Sequence, residues 1–247
     1  ALDDEGSSPE TLEGYRAVVE FYQYVRTFQR ERLEPARHRL EQAIERDPTF
    51  GEGHACLSHL YSQHARFMSR NPAELRRYAD RAFHHARQAL LLSPSSSHAH
   101  HALALAHWFS GDTARSLESY RTAFSLNPND TDLMADLGLR YCQLMEWDKG
   151  VPLVEESFRR NPCQSSTYRM AFVLYHFSLR QYDEGLKQAL LLDAPDVVYR
   201  HVAVAACAVR LGLQQTAEEA IASIERIEPE YAQGVASDLA SRNVHPK

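Results

Sequence analysis

Apolar residues recur three and four positions apart along most of the chain, the spacing that lays them on one face of an α-helix. Near the N-terminus, Ser8 and Pro9 open such a stretch, carrying Leu12, Tyr15, Val18, Val19, Tyr22 and Val25. A second runs from Pro35 to Arg46 with Ala36, Leu40 and Ala43. Further stretches follow in pairs, and a proline closes each pair: Pro48, Pro94, Pro128, Pro162, Pro195 and Pro229. Proline is expected there because it lacks the N–H that would continue the hydrogen-bonded ladder. After Pro229 the pattern predicts one more amphipathic helix, about 231–242, with Val235 and Leu239 on its apolar side. Residues 1–9, ALDDEGSSP, show no periodicity and read as a polar linker.

The prolines are separated by 46, 34, 34, 33 and 34 residues, so the chain is a repeat of paired helices. Two antiparallel helices cross closely only where small side chains meet, with bulky ones beside them. Leu137, Gly138 and Tyr141 are followed by Trp147 and Gly150, and Leu103 and Ala104 by Gly111, Tyr120 and Ala123. Leu57, Ser58 and Tyr61 precede Ala82, Ala86 and Ala89, and the last repeat has Ala205, Gly212, Ala217 and Ile221. These residues resemble the signature of the tetratricopeptide repeat (TPR) over nearly the whole chain. The resemblance implies an all-α TPR solenoid of about six helix-turn-helix repeats, spanning 10–247 and ending in the capping helix. Two departures stand out. The 46-residue interval puts about 12 extra residues around Ala65 to Leu75, as a longer first helix or a projecting loop. The repeat ending at Pro195 has Phe172 where a small residue is usual, and Gly185 comes one position late.

Composition narrows the function more than the fold. With 44% hydrophobic and 24% charged residues the chain has ample material for a core. A net charge of -6 argues against direct nucleic-acid contact, which needs a basic face. Cys56, Cys142, Cys163 and Cys207 are scattered, with neither a zinc-site nor a disulfide spacing, so free thiols and a cytoplasmic setting are expected, a periplasmic one staying open. No apolar run approaches the length of a membrane span.

The run from Ser8 to Ser62, with its tyrosine-rich helix, LEQAIERDP and LSHLYS segments and longer first insertion, resembles the start of the C-terminal TPR region of bacterial winged-helix transcriptional regulators and class III adenylate cyclases. That resemblance implies a sensory or protein-interaction module controlling an upstream effector domain. No phosphate loop, GxSxG, HExxH or conspicuous carboxylate pair lies in the chain, so catalysis has no motif, and no cofactor is implied. Enzymatic chemistry would need a carboxylate within hydrogen-bond reach of His98 or His101.

In TPR stacks the first helix of each repeat lines the concave face. The register projects Glu52, Ala55, His59 and Gln63 there, then His98, His101, Trp108 and Phe109, then Asp132, Leu139, Cys142 and Gln143. Arg169, Val173, His176 and Phe177 follow, with Tyr199 and Arg210 last. The chaperone-carboxylate clamp uses lysine, asparagine and arginine, whereas these places are mostly His, Ala, Asp and Leu, which disfavours a chaperone adaptor. An aromatic-bearing peptide or a small-molecule signal suits them better, with Trp108 as the main anchor; packing of Trp108 and Phe109 between repeats is the competing reading. Of the 13 histidines, His98 and His101 lie one turn apart and could share a metal or sense pH, but three or four converging ligands are needed and none is evident, so no metal is assigned. His84 and His85 form a pair, and His100 and His107 fall on packing positions. Arg70, Arg76 and Arg77 form a basic patch that reads as solvated charge. The sequence thus points to a non-catalytic module that binds a protein or small-molecule partner, or alternatively to a self-associating scaffold, a homo-oligomer without a ligand.

Overall fold

The structure, a computed structural model, describes residues 9–27, 29–67, 72–231 and 234. Among the described residues there are twelve α-helices, apart from one 3-10 turn at Ser166–Arg169, and they divide between two compact units, Ala1–Asn127 and Pro128–Lys247.

Unit 1 holds α1 (Pro9–Thr27), α2 (Arg30–Arg46), α3 (Gly51–Phe67), α4 (Pro72–Leu92), α5 (Ser97–Phe109) and α6 (Thr113–Leu126). Each odd-numbered helix pairs with its successor. Helix starts follow local chemistry: Ser96 accepts the Ala99 amide at the head of α5, and Asp112 accepts the Arg115 amide at α6, each an N-cap worth about 1 kcal/mol. The core gathers Phe21, Tyr24, Leu33, Leu40, Leu57, Leu60 and Tyr61. Ser58 sits where α3 crosses α4 and donates to the Ala82 carbonyl at 2.8 Å, which satisfies a hydroxyl buried between two backbones.

Three expectations change here. The extra residues of the first interval lengthen both helices, α3 to 17 and α4 to 21 residues; residues 68–71 lie outside the described set. Helix α2 begins five residues before Pro35, which the helix accommodates internally. The apolar face of α1 is rotated from the projected one: Ala17, Phe21, Tyr24 and Val25 are buried, while Leu12, Tyr15, Val19 and Tyr22 form an exposed stripe.

Unit 2 holds α7 (Thr131–Gln143), α8 (Trp147–Arg160), α9 (Met170–Ser178), α10 (Tyr182–Leu190), α11 (Val198–Leu211) and α12 (Gln214–Ile227). The closest crossing is α7 on α8: a Cβ on Gly138 would stand 2.9 Å from the Gly150 carbonyl, and one on Gly150 2.8 Å from the Cys142 amide nitrogen. Glycine is required at both because backbone, unlike a side-chain tip, cannot swing aside. In the repeat ending at Pro195 the crossing is looser: a Cβ on Gly185 would stand 3.8 Å from the Val173 carbonyl of α9, its nearest neighbour being the Cys207 sulfur of α11 at 3.2 Å, and Phe172 packs beside Phe158. Gly111 and Gly212 have positive φ, at 85° and 71°, so they turn the chain between helices rather than let helices cross, and Ile221 is exposed where Ala220 is buried. The expected capping helix falls outside the described residues after Tyr231, which is itself buried against Tyr199.

Three histidines repeat one device. His54, His100 and His201 each stand six residues past a closing proline and place Nε2 at 3.3, 3.0 and 2.8 Å from the carbonyl of Pro48, Pro94 and Pro195. A carbonyl only accepts, so each Nε2 carries the proton. In neutral His54, Nδ1 then accepts from His85 Nδ1–H at 2.9 Å. Burial, reinforced by His54, His84 and Arg81, pushes the His85 imidazole down to about 3 from its usual 6.5. The folded state therefore holds this ring neutral while the unfolded chain takes up a proton, so stability is complete above about pH 6.5 and declines as pH falls toward 3. After discounting for partial exposure, about 0.5 kcal/mol should be lost over the first pH unit below 6.5. Thermal melts between pH 7 and 5 should show a flatter Tm profile for His85→Gln than for the unaltered protein; parallel profiles would show that His85 titrates normally.

Candidate functional site

Helices α1, α3 and α5 bring their side chains together on one face of unit 1. From α3, Glu52, Cys56, His59 and Gln63 follow at spacings of four, three and four, a single stripe. His98 and His101 stand one turn apart on α5, and Phe21 and Tyr22 arrive from α1. The Phe21 ring lies 5.3 Å from His59 and 5.7 Å from His98; His59 lies 5.5 Å from His101. The centre is the contact between Glu52 Oε1 and His98 Nδ1, at 2.7 Å, with Tyr22 also hydrogen-bonded to the carboxylate. Burial works to raise the Glu52 carboxyl, but His98 and Tyr22 outweigh it and hold it below the ordinary range. The Cys56 thiol is fully buried behind this pair, 4.0 Å from Glu52 Oε1, and burial together with the Glu52 charge pushes it well above its usual value.

Deeper along the stripe, Gln63 donates from Nε2 to His59 Nε2 at 2.8 Å, and its Oε1 accepts nothing among the described residues. Turning the amide over would leave the other end unpartnered instead, so one polar group of a side chain that is only 6% exposed has no hydrogen bond among the described residues.

The projected residues meet different fates. His59, Gln63, His98 and His101 do converge, together with Glu52. Trp108 lies on the same side of α5 but is 0% exposed, so its ring belongs to the packing and offers no open anchor; Phe109 is half-buried. Ala55 and Leu139 are buried too. In unit 2, Gln143 is buried and accepts from Arg140 Nη1 at 3.0 Å. Arg169 donates to Gln188 and lies 4.8 Å over Phe158. His176 bonds Gln181, Phe177 packs on Tyr182, Arg210 lies over Tyr182, and Tyr199 meets Tyr231. These unit 2 residues make local contacts, Phe177 and Arg210 sharing the Tyr182 ring. The basic patch retains Arg76 and Arg77, both exposed, and Arg70 falls outside the described residues.

The sequence projected Glu52 but missed Cys56 as a member of the site, and missed the pairing of Glu52 with His98. Cys56 was seen only as a scattered cysteine, although its spacing of four from Glu52 could have marked the pair. The carboxylate partner of His98 is 46 positions away, the same place in the preceding repeat displaced by the insertion. The Glu52–His98 pair meets the geometric condition set for acid–base chemistry, but Cys56 is held as a neutral thiol and so supplies no activated nucleophile.

No protein-family model matches the chain, and no curated protein does. Solved structures do match. The chain is similar to pilF of Pseudomonas aeruginosa at 17% identity, over 91% of this chain and 99% of that one, with a TM-score of 0.55. It is similar to TTC0263, a TPR protein of Thermus thermophilus, at 17% identity over 78% of this chain and 99% of that one, TM-score 0.58. Against the Cut9–Hcn1 hetero-tetramer of APC/C the identity is 17% over 93% of this chain and 43% of that one, TM-score 0.61. The fold is therefore the all-α TPR type. No helix among the described residues is long and apolar enough to cross a membrane.

Proposed function

We propose that the chain is a protein-interaction module whose α1–α3–α5 face binds an extended segment of a partner protein. The observation that carries this reading is the cluster in which the partly exposed Glu52 and His98 stand over a buried polar floor of His59, Gln63 and His101, beside the exposed stripe of α1. An incoming segment would meet Glu52 and His98 first and reach the Gln63 amide only as the floor opens. Backbone of an extended peptide offers both a donor and an acceptor, and so fits either orientation of Gln63. The exposed Leu12, Tyr15, Val19 and Tyr22 stripe on α1 runs up to this face and gives apolar side chains of the partner somewhere to lie. The Cut9–Hcn1 structure is a hetero-tetramer, and a shared fold is consistent with a role in assembly. The likeness of the N-terminal run to regulator and cyclase TPR regions supports a further step, that occupancy of this face controls an attached effector domain.

A displayed peptide library panned against the chain tests the first step. Enriched peptides should bind the unaltered protein and bind folded Tyr22→Ala and Gln63→Leu variants about tenfold more weakly or worse. Equal affinity in both variants would remove this face from the reading. A light-scattering mass that climbs with concentration, with no peptide enriched, would favour the self-associating scaffold instead.

A further inference from the structure

We propose that Glu52, Cys56 and His98 form a binding site for a single borderline divalent transition metal, with Zn2+ as its natural type. The three ligand atoms, a carboxylate oxygen, a sulfur and an imidazole nitrogen, lie within 4.8 Å of one another. Neither helix could build this alone. Glu52 and Cys56 are one turn apart on α3, the i,i+4 spacing that sets two side chains over the same spot, and His98 closes the set from α5.

The distances fit an ion after small side-chain movements. Around a tetrahedral zinc, neighbouring nitrogen and oxygen ligands sit about 3.3 Å apart and sulfur and oxygen about 3.5 Å. The Glu52–His98 contact of 2.7 Å, now a hydrogen bond, must open slightly, and the Glu52–Cys56 contact of 4.0 Å must close slightly. Mixed sulfur, nitrogen and oxygen donors suit zinc, cobalt or nickel rather than the all-oxygen shells of calcium or magnesium. The Glu52 side chain is 38% exposed and that of His98 15%, so an ion has a route in from the surface, while the sulfur lies behind them. Binding forms an S–metal bond as the Cys56 S–H proton leaves to solvent. The His98 Nδ1 proton that Glu52 accepts in the free site is lost from Nδ1, with neutral imidazole carrying its proton on Nε2 instead, and the hydrogen bond is exchanged for two metal bonds with no change in oxidation state. Tyr22, hydrogen-bonded to Glu52, orients the carboxylate from outside, as such partners do at metal sites. Three protein ligands leave a fourth position for water or for a group from a bound partner.

This inference stands independently of peptide binding and is tested with cobalt. The full 247-residue chain is used with Cys163→Ser, which removes the exposed thiol. Titration with Co2+ should produce a thiolate-to-cobalt charge-transfer band saturating at one ion per chain, and added Zn2+ should bleach it. Cys56→Ser should abolish the band, and Glu52→Gln and His98→Ala should weaken cobalt binding about tenfold or more. Should Cys56→Ser fail to fold, the other two variants, at partly exposed positions and checked for helicity by circular dichroism, decide the matter. Absence of the band, its survival in Cys56→Ser, or undiminished affinity in both other variants would overturn the proposal.

Discussion

Replacing Trp108 with alanine is expected to lower the stability of the folded protein by about 3–5 kcal/mol, because it empties the volume of a fully buried indole. The loss combines the transfer free energy of the ring with the cost of the cavity, and the surrounding close-packed structure relaxes only in part. Trp108→Phe, which keeps most of the volume, should recover much of the difference. Urea denaturation of the three proteins measures this directly. An anchor residue on an open surface would behave in the opposite way, losing partner affinity at unchanged stability, so the experiment also separates the two readings of the residue.

Asp136→Ala should cost about as much, roughly 3–5 kcal/mol, for an electrostatic reason. Asp136 and Arg140 are 6% and 3% exposed at their side chains, with Oδ1 and Nη2 at 2.6 Å. Removing the carboxylate takes away the counter-charge 2.6 Å from a guanidinium that cannot shed its own charge in a buried setting, and the neutral Gln143 amide that Arg140 also contacts does not replace it. Removing both charges is different: Asp136→Leu with Arg140→Met should fall near the stability of the unaltered chain, since a buried pair repays its desolvation only about in full. Chemical denaturation of the two singles and the double gives the coupling between them. A double variant as unstable as Asp136→Ala would mean that packing around α7, and not the lost counter-charge, sets the cost.

The polar face of unit 1 differs in kind from this buried pair. Asp136 and Arg140 answer each other, four residues apart on one helix, whereas Glu52, Cys56 and His98 gather three different donor types with partial access to solvent. The first arrangement balances charge within the core. The second has the composition and geometry to hold something further.

Helical periodicity and the proline spacing by themselves determined the fold type, because both arise from backbone geometry: 3.6 residues per turn dictates which positions share a face, and proline ends a ladder wherever it stands. Gly138 and Gly150 were likewise readable, since two helices at contact distance admit nothing larger. The side of α3 and α5 that carries His59, Gln63, His98 and His101 followed from the same arithmetic. Only the tertiary structure decided which parts of that side are open. Trp108, His101, His59 and Gln63 share it with the partly exposed His98 yet are buried, and α1 buries Phe21 and Tyr24 while exposing Tyr15 and Tyr22. A helical period names a face but carries no information about what packs over it. For the same reason the meeting of Glu52 and Cys56 with His98 could not be read along the chain: it depends on how α3 and α5 lie side by side, and 46 residues separate the carboxylate from its imidazole.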